Sequence, residues 1–440
     1  MIIGLPLFQL CSLEPSANDV LVTGIGMVTP FGLGAKRSWS AVLNGNKAGR
    51  LLTAHDIDHF QQLSELIKRV PGGAPVDHVE VAMAVLPALS RNRWDNDTFT
   101  QYAHDCLNNI VLASLDEALA DAGMANELPP PDRIGCVIGS SKASLRALED
   151  HTYALRPDSR STACAGNFWA NSCLPDAPLR CVQQVLGATG PSLCPVAACA
   201  SGLISVIQGA HLIRNGLCDV CIVGSADASL RASVLASFHR LGVTAKHEDP
   251  SIACRPFDRE REGFIIGEGG AVLLLESRAH AEKRRARAYG QIVSGGWLTD
   301  PTGITQIDSS GSVVTELLRR MAQTSPPDII SLHGTGTVTN DLAESHGVGA
   351  AFGTTGPPCF GVKGAIGHLL GAAGSVEFAL TLLAMRDGVV PPTVNFETID
   401  EACGVDVAAV SRQMAIKSAL KLSLGFGGHV AACGVVADLQ

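Results

Sequence analysis

The sequence predicts an α/β fold whose apolar strands are covered by helices on both faces, and three observations predict it. First, strand-like runs alternate with helix-patterned segments: Val20-Leu-Val-Thr-Gly-Ile-Gly-Met-Val-Thr-Pro30, Ile134-Gly-Cys-Val-Ile-Gly139, Cys218-Asp-Val-Cys-Ile-Val-Gly224, Gly270-Ala-Val-Leu-Leu-Leu-Glu276 and Asp328-Ile-Ile-Ser-Leu332. Near-continuous apolar runs of this length suit strands buried on both faces. Second, hydrophobic residues are 46% of the 440 and charged residues only 17%, so a large core can be buried, and disorder, coiled coil and collagen are excluded. Third, Cys199 and His368 each stand where an apolar strand or loop meets a helix rich in small residues. That parallel points to two similar halves.

Taken in order, residues 1–19 form an N-terminal extension. No Lys or Arg precedes Lys36, so the positive flank of a secretory signal is missing and no export is expected. The segment Val20 to Pro30 reads as a buried strand running into a glycine turn. Gly24 and Gly26 are followed by Thr29 where a dinucleotide fingerprint needs a third glycine, so no nucleotide cofactor is expected. Residues 105–124, with Ile110, Leu112, Leu115, Ala118 and Leu119, fit an amphipathic helix. Cys181 to Ile213 contains no charged residue, yet Gly187, Gly190, Pro191 and Pro195 would break a lipid-facing helix. A loop followed by a buried helix is expected there, not a membrane span.

Lys+Arg 33 against Asp+Glu 42 leaves a net charge of −9, which argues against nucleic acid as a partner. Fourteen cysteines without regular spacing read as thiols of a reducing compartment, hence a cytoplasmic protein. Cys218 and Cys221 have redox spacing but no second pair, and no zinc motif is present, so buried packing is expected there and no metal.

Chemistry concentrates at three places. In Val196-Ala-Ala-Cys-Ala-Ser-Gly-Leu203 only small residues flank Cys199, which would open a mostly apolar helix. A helix start favours thiolate over thiol and offers amides to an oxyanion. Taken alone, Cys199 reads rather as a buried packing residue, and the functional reading needs partners elsewhere in the chain. His333, in Leu332-His-Gly-Thr-Gly-Thr-Val-Thr-Asn-Asp341, and His368, in Lys363-Gly-Ala-Ile-Gly-His-Leu-Leu-Gly-Ala-Ala-Gly374, lie in glycine-rich settings where backbone approaches a ligand. One cysteine with two histidines and a lysine at element ends fits thioester chemistry: the thiol takes an acyl group and imidazole N–H groups stabilise an enolate.

These segments, with Val22-Thr-Gly-Ile-Gly-Met-Val-Thr-Pro30, Arg255-Pro-Phe-Asp258, Glu262-Gly-Phe264, Gly267-Glu-Gly269 and Gly425-Phe-Gly-Gly428, closely resemble β-ketoacyl-[acyl carrier protein] synthases in order and spacing, from about residue 20 onward. The likeness is greatest to the elongating, two-histidine branch, synthase II. The resemblance implies a thiolase-like, five-layered αβαβα fold of two similar halves, 20–285 with the nucleophile and 286–440 with the histidines, acting as a homodimer without a cofactor. It implies decarboxylative condensation of an acyl thioester with malonyl-[acyl carrier protein] in fatty-acid or related lipid biosynthesis. The alternatives are a ketosynthase of a specialised polyketide or unusual-lipid pathway, or a non-catalytic chain-length partner subunit.

Carried residue by residue, the resemblance makes Cys199 the acyl carrier and gives decarboxylation and condensation to His333 and His368. Lys363 supports them, Glu344 is the acidic partner of that lysine, and Asp341 lies in the same supporting motif. Thr335 and Thr337 hold the pantetheine arm, and Phe426 gates the site and shares the oxyanion hole with the Cys199 amide. Asp258 and Glu262 are expected to be structural. Two departures stand out. Leu424, His429 and Val430 replace residues usual in the last motif, which changes the wall behind Cys199. In Ser90 to Tyr102, Asp95 and Asp97 dilute Arg91 and Arg93, so docking of an acidic carrier needs another positive face, such as Arg240, Lys246 or Lys283 to Arg285.

Overall fold

The computed structural model describes residues 8–9, 16–57, 61, 63, 67, 71–89, 105–155, 172–321, 326–353 and 356–438. A 12-stranded sheet is its frame, assembled from two five-strand units of the same plan. The first unit holds Val20–Thr29, Ile134–Gly139, Ser192–Leu193, Val220–Asp227 and Gly269–Ser277. Numbered along the chain, they lie in spatial order 3-2-4-5-1, the first two pairings parallel and the last two antiparallel. The second unit holds Gly290–Thr299, Ile329–Ser331, Cys359–Phe360, Ser418–Gly425 and His429–Val436. Its order is again 3-2-4-5-1 with the same directions. The units join where Gly290 and Ile292 pair with Val22 and Val20.

Alternation along the strands builds the layers. In the first unit Ala271, Leu273 and Leu275 face a central core with Val206, Ile207 and Leu380, while Val272 and Leu274 face outward onto Ile110, Val111 and Leu115. In the second, Ala419, Ala431 and Cys433 face the same central core, and Leu420, Leu422 and Ala432 face Val314, Leu317 and Val348. Helices Ser201–Arg214 and Ala373–Asp387 fill the middle, Cys106–Asp121 covers one side, and Ser312–Met321 with Val338–Phe352 covers the other. The result is the five-layered αβαβα arrangement with both sheet faces buried. Each Leu or Val so enclosed contributes about 1.5–3 kcal/mol.

The second part of the charge-free run from Cys181 to Ile213 is accounted for by this middle layer: Ser201–Arg214 lies there and buries ten of its fourteen residues. Among the described residues no helix is long and apolar enough to cross a membrane.

Two local readings are corrected. Gly24 and Gly26 lie within the strand Val20–Thr29, not in a turn. A Cβ on Gly24 would come 2.4 Å from the Ala118 carbonyl oxygen, and one on Gly26 2.0 Å from that of Ser114, so these glycines let the helix Cys106–Asp121 settle on the strand. That helix is buried continuously from Leu107 to Leu115 rather than amphipathic, because His78–Leu89 and Ala177–Leu186 pack against it from outside. Within residues 1–19, Phe8–Gln9 pairs antiparallel with Ser294 and Gly295. Arg91, Arg93, Asp95 and Asp97 lie outside the described residues.

Candidate active site

The chain leaves Ser192–Leu193, passes a short 3-10 turn at Ala198–Ala200 and enters helix Ser201–Arg214. Ala198 sits at φ 47, a left-handed conformation costing about 1–2 kcal/mol for a non-glycine residue. Ser201 Oγ holds this elbow, accepting from the Ala197 amide at 2.9 Å and donating to the Ala198 carbonyl at 2.8 Å. Cys199 is at its tip. The starts of the two central helices cross backbone to backbone: a Cβ on Gly202 would be 2.6 Å from the Ser375 nitrogen, and one on Gly374 2.5 Å from that of Leu203. The site therefore forms where the halves meet.

His333 follows strand Ile329–Ser331, and His368 lies between the helical turn Lys363–Ile366 and the 3-10 turn Leu370–Ala372. Cys199, His333 and His368 are all buried, with the thiol sulfur and imidazole nitrogens within 4.8 Å of one another. The two rings stand nearly perpendicular, centroids 5.2 Å apart. Lys363 Nζ lies 3.1 Å from His333 Nδ1, and an ammonium can only donate, so this nitrogen accepts. The Leu370 amide donates to His368 Nδ1 at 3.3 Å. These partners assign the proton of both neutral rings to Nε2. Burial, followed by Lys363, holds both imidazoles well below the usual histidine range; Lys421 adds to each, with His368 also acting on His333 and Lys142 on His368.

The acidic partner of Lys363 is corrected. Lys363 Nζ donates to Glu377 Oε1 at 2.6 Å, not to Glu344. Glu344 faces the backbone, accepting from the amides of His333 at 2.5 Å and Gly334 at 2.7 Å and from Asn340 at 2.8 Å. Burial raises its carboxyl to about 7. Asp341 accepts from the Phe257 and Gly336 amides and is raised to about 6 by burial, so it ties down the loop that carries Thr335. Asp258 caps the amides of Glu397 and Thr398, and Glu262 is exposed. The ionised thiolate is corrected as well: burial pushes Cys199 up to about 12, outweighing Lys363 and Lys142, which pull it down. The helix start thus carries a resting thiol.

Two residues were missed by sequence reasoning. Glu377 lies on the central helix nine positions after His368, and Lys421 on strand Ser418–Gly425 ion-pairs its other oxygen at 2.7 Å. A lone carboxylate in the apolar run 369–385 was the available signal for the first.

Cys199, His333, His368, Thr335, Thr337 and Phe426 line a cavity of about 320 Å³. The two threonine hydroxyls are 2.8 Å apart. Phe426 stacks on Phe238 at 6.0 Å, and Phe264 meets His368 edge-on at 4.7 Å. A Cβ on Gly425 would lie 3.2 Å from the Cys199 nitrogen, so glycine lets the Phe426 loop reach the thiol. His429 does not line this cavity, and burial lowers it from the usual histidine range. The three central groups are close enough to share an ion, but an un-ionised thiol and two Nε2 protons beside buried ammoniums present donors, which suits a developing oxyanion better than a cation.

A thiol facing two such donors at the seam of a duplicated five-layer scaffold defines the class: a thiolase-fold condensing enzyme. The chain belongs to the β-ketoacyl synthase family, its N-terminal domain matching residues 17–281 and its C-terminal domain 294–397. It is 32% identical over 427 residues to the tetracenomycin polyketide synthase ketoacyl synthase alpha subunit of Streptomyces glaucescens, covering 94% of this chain and 96% of that protein. It is 30% identical to 3-oxoacyl-[acyl-carrier-protein] synthase 2 of Mycobacterium bovis, with coverage of 93% and 95%. Among solved structures, a type II polyketide synthase acyl-carrier protein in complex with its ketosynthase bound to the hexaketide aligns at TM-score 0.81 and 26% identity, over 97% of this chain and 100% of that one.

Proposed function

We propose that this chain is an elongating ketosynthase that condenses an acyl thioester with a malonyl thioester on an acyl carrier protein, working as a homodimer in a polyketide-type pathway. The single observation that carries the reading is the buried triangle of the Cys199 sulfur and two imidazoles within 4.8 Å. In the first step the Cys199 sulfur attacks the acyl carbonyl, the carrier thiol leaves, and the cysteine proton ends on that thiol. Backbone N–H groups of Cys199 and Phe426 hold the oxyanion, a device whose loss costs ~10²–10³ in rate. In the second step malonyl thioester loses carbon dioxide, and the Nε2–H groups of His333 and His368 hold the enolate oxygen. The enolate carbon attacks the Cys199 thioester, the C–S bond breaks, and the sulfur takes up a proton. Thr335 and Thr337 line the approach of the pantetheine arm.

On this reading the nucleophile comes from 20–285 and the donors from 286–440. The polyketide alternative is preferred here to the fatty-acid expectation, supported by the likeness to polyketide β-ketoacyl synthases of Streptomyces at 32% identity. The test is condensation and carbon dioxide release with acyl and malonyl carrier proteins. Cys199→Ala is expected to lose condensation by at least ~10³-fold while still decarboxylating malonyl thioester. Condensation persisting in Cys199→Ala sinks the proposal.

A further inference from the structure

Beneath the two imidazoles lies a buried charge cluster that the reaction steps above do not use directly. Lys421 and Lys363 have no exposed surface, and Glu377 is 1% exposed. The two ammoniums divide one carboxylate: Lys363 takes Oε1 at 2.6 Å and Lys421 takes Oε2 at 2.7 Å. They also divide the peptide that leads into His333. Lys421 donates to the Leu332 carbonyl at 3.0 Å and to its own neighbour's at 2.6 Å, while Lys363 donates to the His333 carbonyl and meets the ring at Nδ1. Removing a lysine from water costs several kcal/mol, and one shared carboxylate leaves the pair with a net positive charge. A buried charge arrangement of that sort directly behind a cavity makes a candidate functional site.

We propose that Lys421 is a positioning residue for the condensation. By holding one oxygen of Glu377 and the Leu332 carbonyl, it fixes the Lys363 ammonium on His333 Nδ1 and supplies the second cation that keeps His333 a neutral Nε2–H donor. Among the described residues, the charged and titratable groups around the ring come from several elements. Lys363 comes from the helical turn, Glu377 from the central helix, Lys421 from the sheet, and Glu344 from the helix under the His333 backbone; His368 and Cys199 face the ring across the cavity. Lys421 acts through Lys363 and the field, never by touching substrate. The inference rests on the condensation reading, which it deepens.

The experiment compares wild type, Lys421→Met and Lys421→Gln in carbon dioxide release from malonyl carrier protein across pH, with Cys199 acylation followed by intact mass. In Lys421→Met the loss of a cation raises the His333 pKa, so the acid limb of the rate moves up by about one pH unit. At pH values below the wild-type limb kcat falls about tenfold with KM little changed, while acylation of Cys199 at pH 8 is retained. Lys421→Gln keeps a donor for Leu332 but not the charge, and its limb moves as in Lys421→Met. An unmoved limb in both variants overturns the assignment, as does a loss that is uniform in pH and equal for acylation. If the variants do not fold, wild type labelled with 15N-histidine decides: His333 as the neutral Nε2–H tautomer down to about pH 5.5 supports the placement, and an imidazolium above that pH overturns it. Wild type that releases no carbon dioxide overturns the condensation reading instead, and the labelled spectrum still decides the placement.

Discussion

The same elbow occurs twice in this molecule, and only one copy carries a nucleophile. Ala198 and Leu370 hold matching left-handed angles, φ 47 and φ 48, each opening a 3-10 turn that runs into a central helix. Gly202 and Gly374 then occupy corresponding places, each pressed against the other helix. In this register Gly371 stands where Cys199 stands in the first copy. A Cβ on Gly371 would be 2.5 Å from the Ser141 nitrogen, and its amide donates to Asp227 Oδ2 at 3.1 Å. His368 stands where the first copy has Val196, which is 54% exposed. One backbone device thus presents a thiol in one half and carries the neighbouring imidazole into the same cavity from the other. The supports differ too: a hydroxyl holds the first elbow, whereas the Asp227 carboxylate holds the Gly371 amide of the second, and a buried charge cluster stands behind His333 in the same half.

That difference can be broken selectively. The largest effect is expected for Glu377→Gln, which leaves two buried ammoniums without a carboxylate and should cost about 3–5 kcal/mol in urea unfolding. Ser201→Ala, at the first elbow, removes hydrogen bonds from one hydroxyl and should cost only about 1 kcal/mol. Equal losses would erase the distinction. Gly371→Ala is expected to cost about 1–3 kcal/mol by overpacking against Ser141, whereas Cys199→Ala, at the matching position, should change stability far less. Smallest of all is Ala198→Gly. Relief of the left-handed strain is offset by the greater freedom of glycine in the unfolded chain, so the change should stay within about 1 kcal/mol. Leu370→Gly, at the equivalent angle, empties a buried site and should lose several times more.

The pH dependence sharpens the same contrast between halves. Glu344 and Asp341, both under His333, have folded carboxyls raised by burial to about 7 and about 6. The folded state therefore binds their protons more tightly than the unfolded chain does, and their contribution to stability declines as pH rises from about 4 to 7. Melting temperature measured from pH 5 to 7.5 should fall less steeply in Glu344→Gln than in wild type. An identical slope would remove Glu344 from the account.

Much of this was legible in the chain. Cys199, His333, His368, Lys363 and Phe426 meet in one cavity region or directly behind it, because glycine-rich motifs mark the few places where backbone can close on a ligand. The α/β class followed from strands that are apolar on both faces, and the five layers from the family resemblance. The supporting cluster was less visible. In Ala419-Leu-Lys-Leu-Ser-Leu424 the alternation places Lys421 opposite Leu420 and Leu422, a pattern that reads as a strand with one wet face. Only the central helices, packed on that side of the strand, turn that face inward. Glu344 was assigned to Lys363 through the resemblance, but its helix directs it under the His333 amide, and Glu377 reaches the lysine from the central layer. The thiolate expectation failed for a related reason: a helix start stabilises negative charge only modestly, and complete burial of the sulfur outweighs it.

The most direct measurement is peptide mapping of the protein after incubation with acylated carrier protein. The account predicts one acyl group per chain, on the peptide containing Cys199, and its release when malonyl carrier protein is added. An acyl group on any of the other thirteen cysteines, or one on Cys199 that malonyl carrier protein does not discharge, would contradict it.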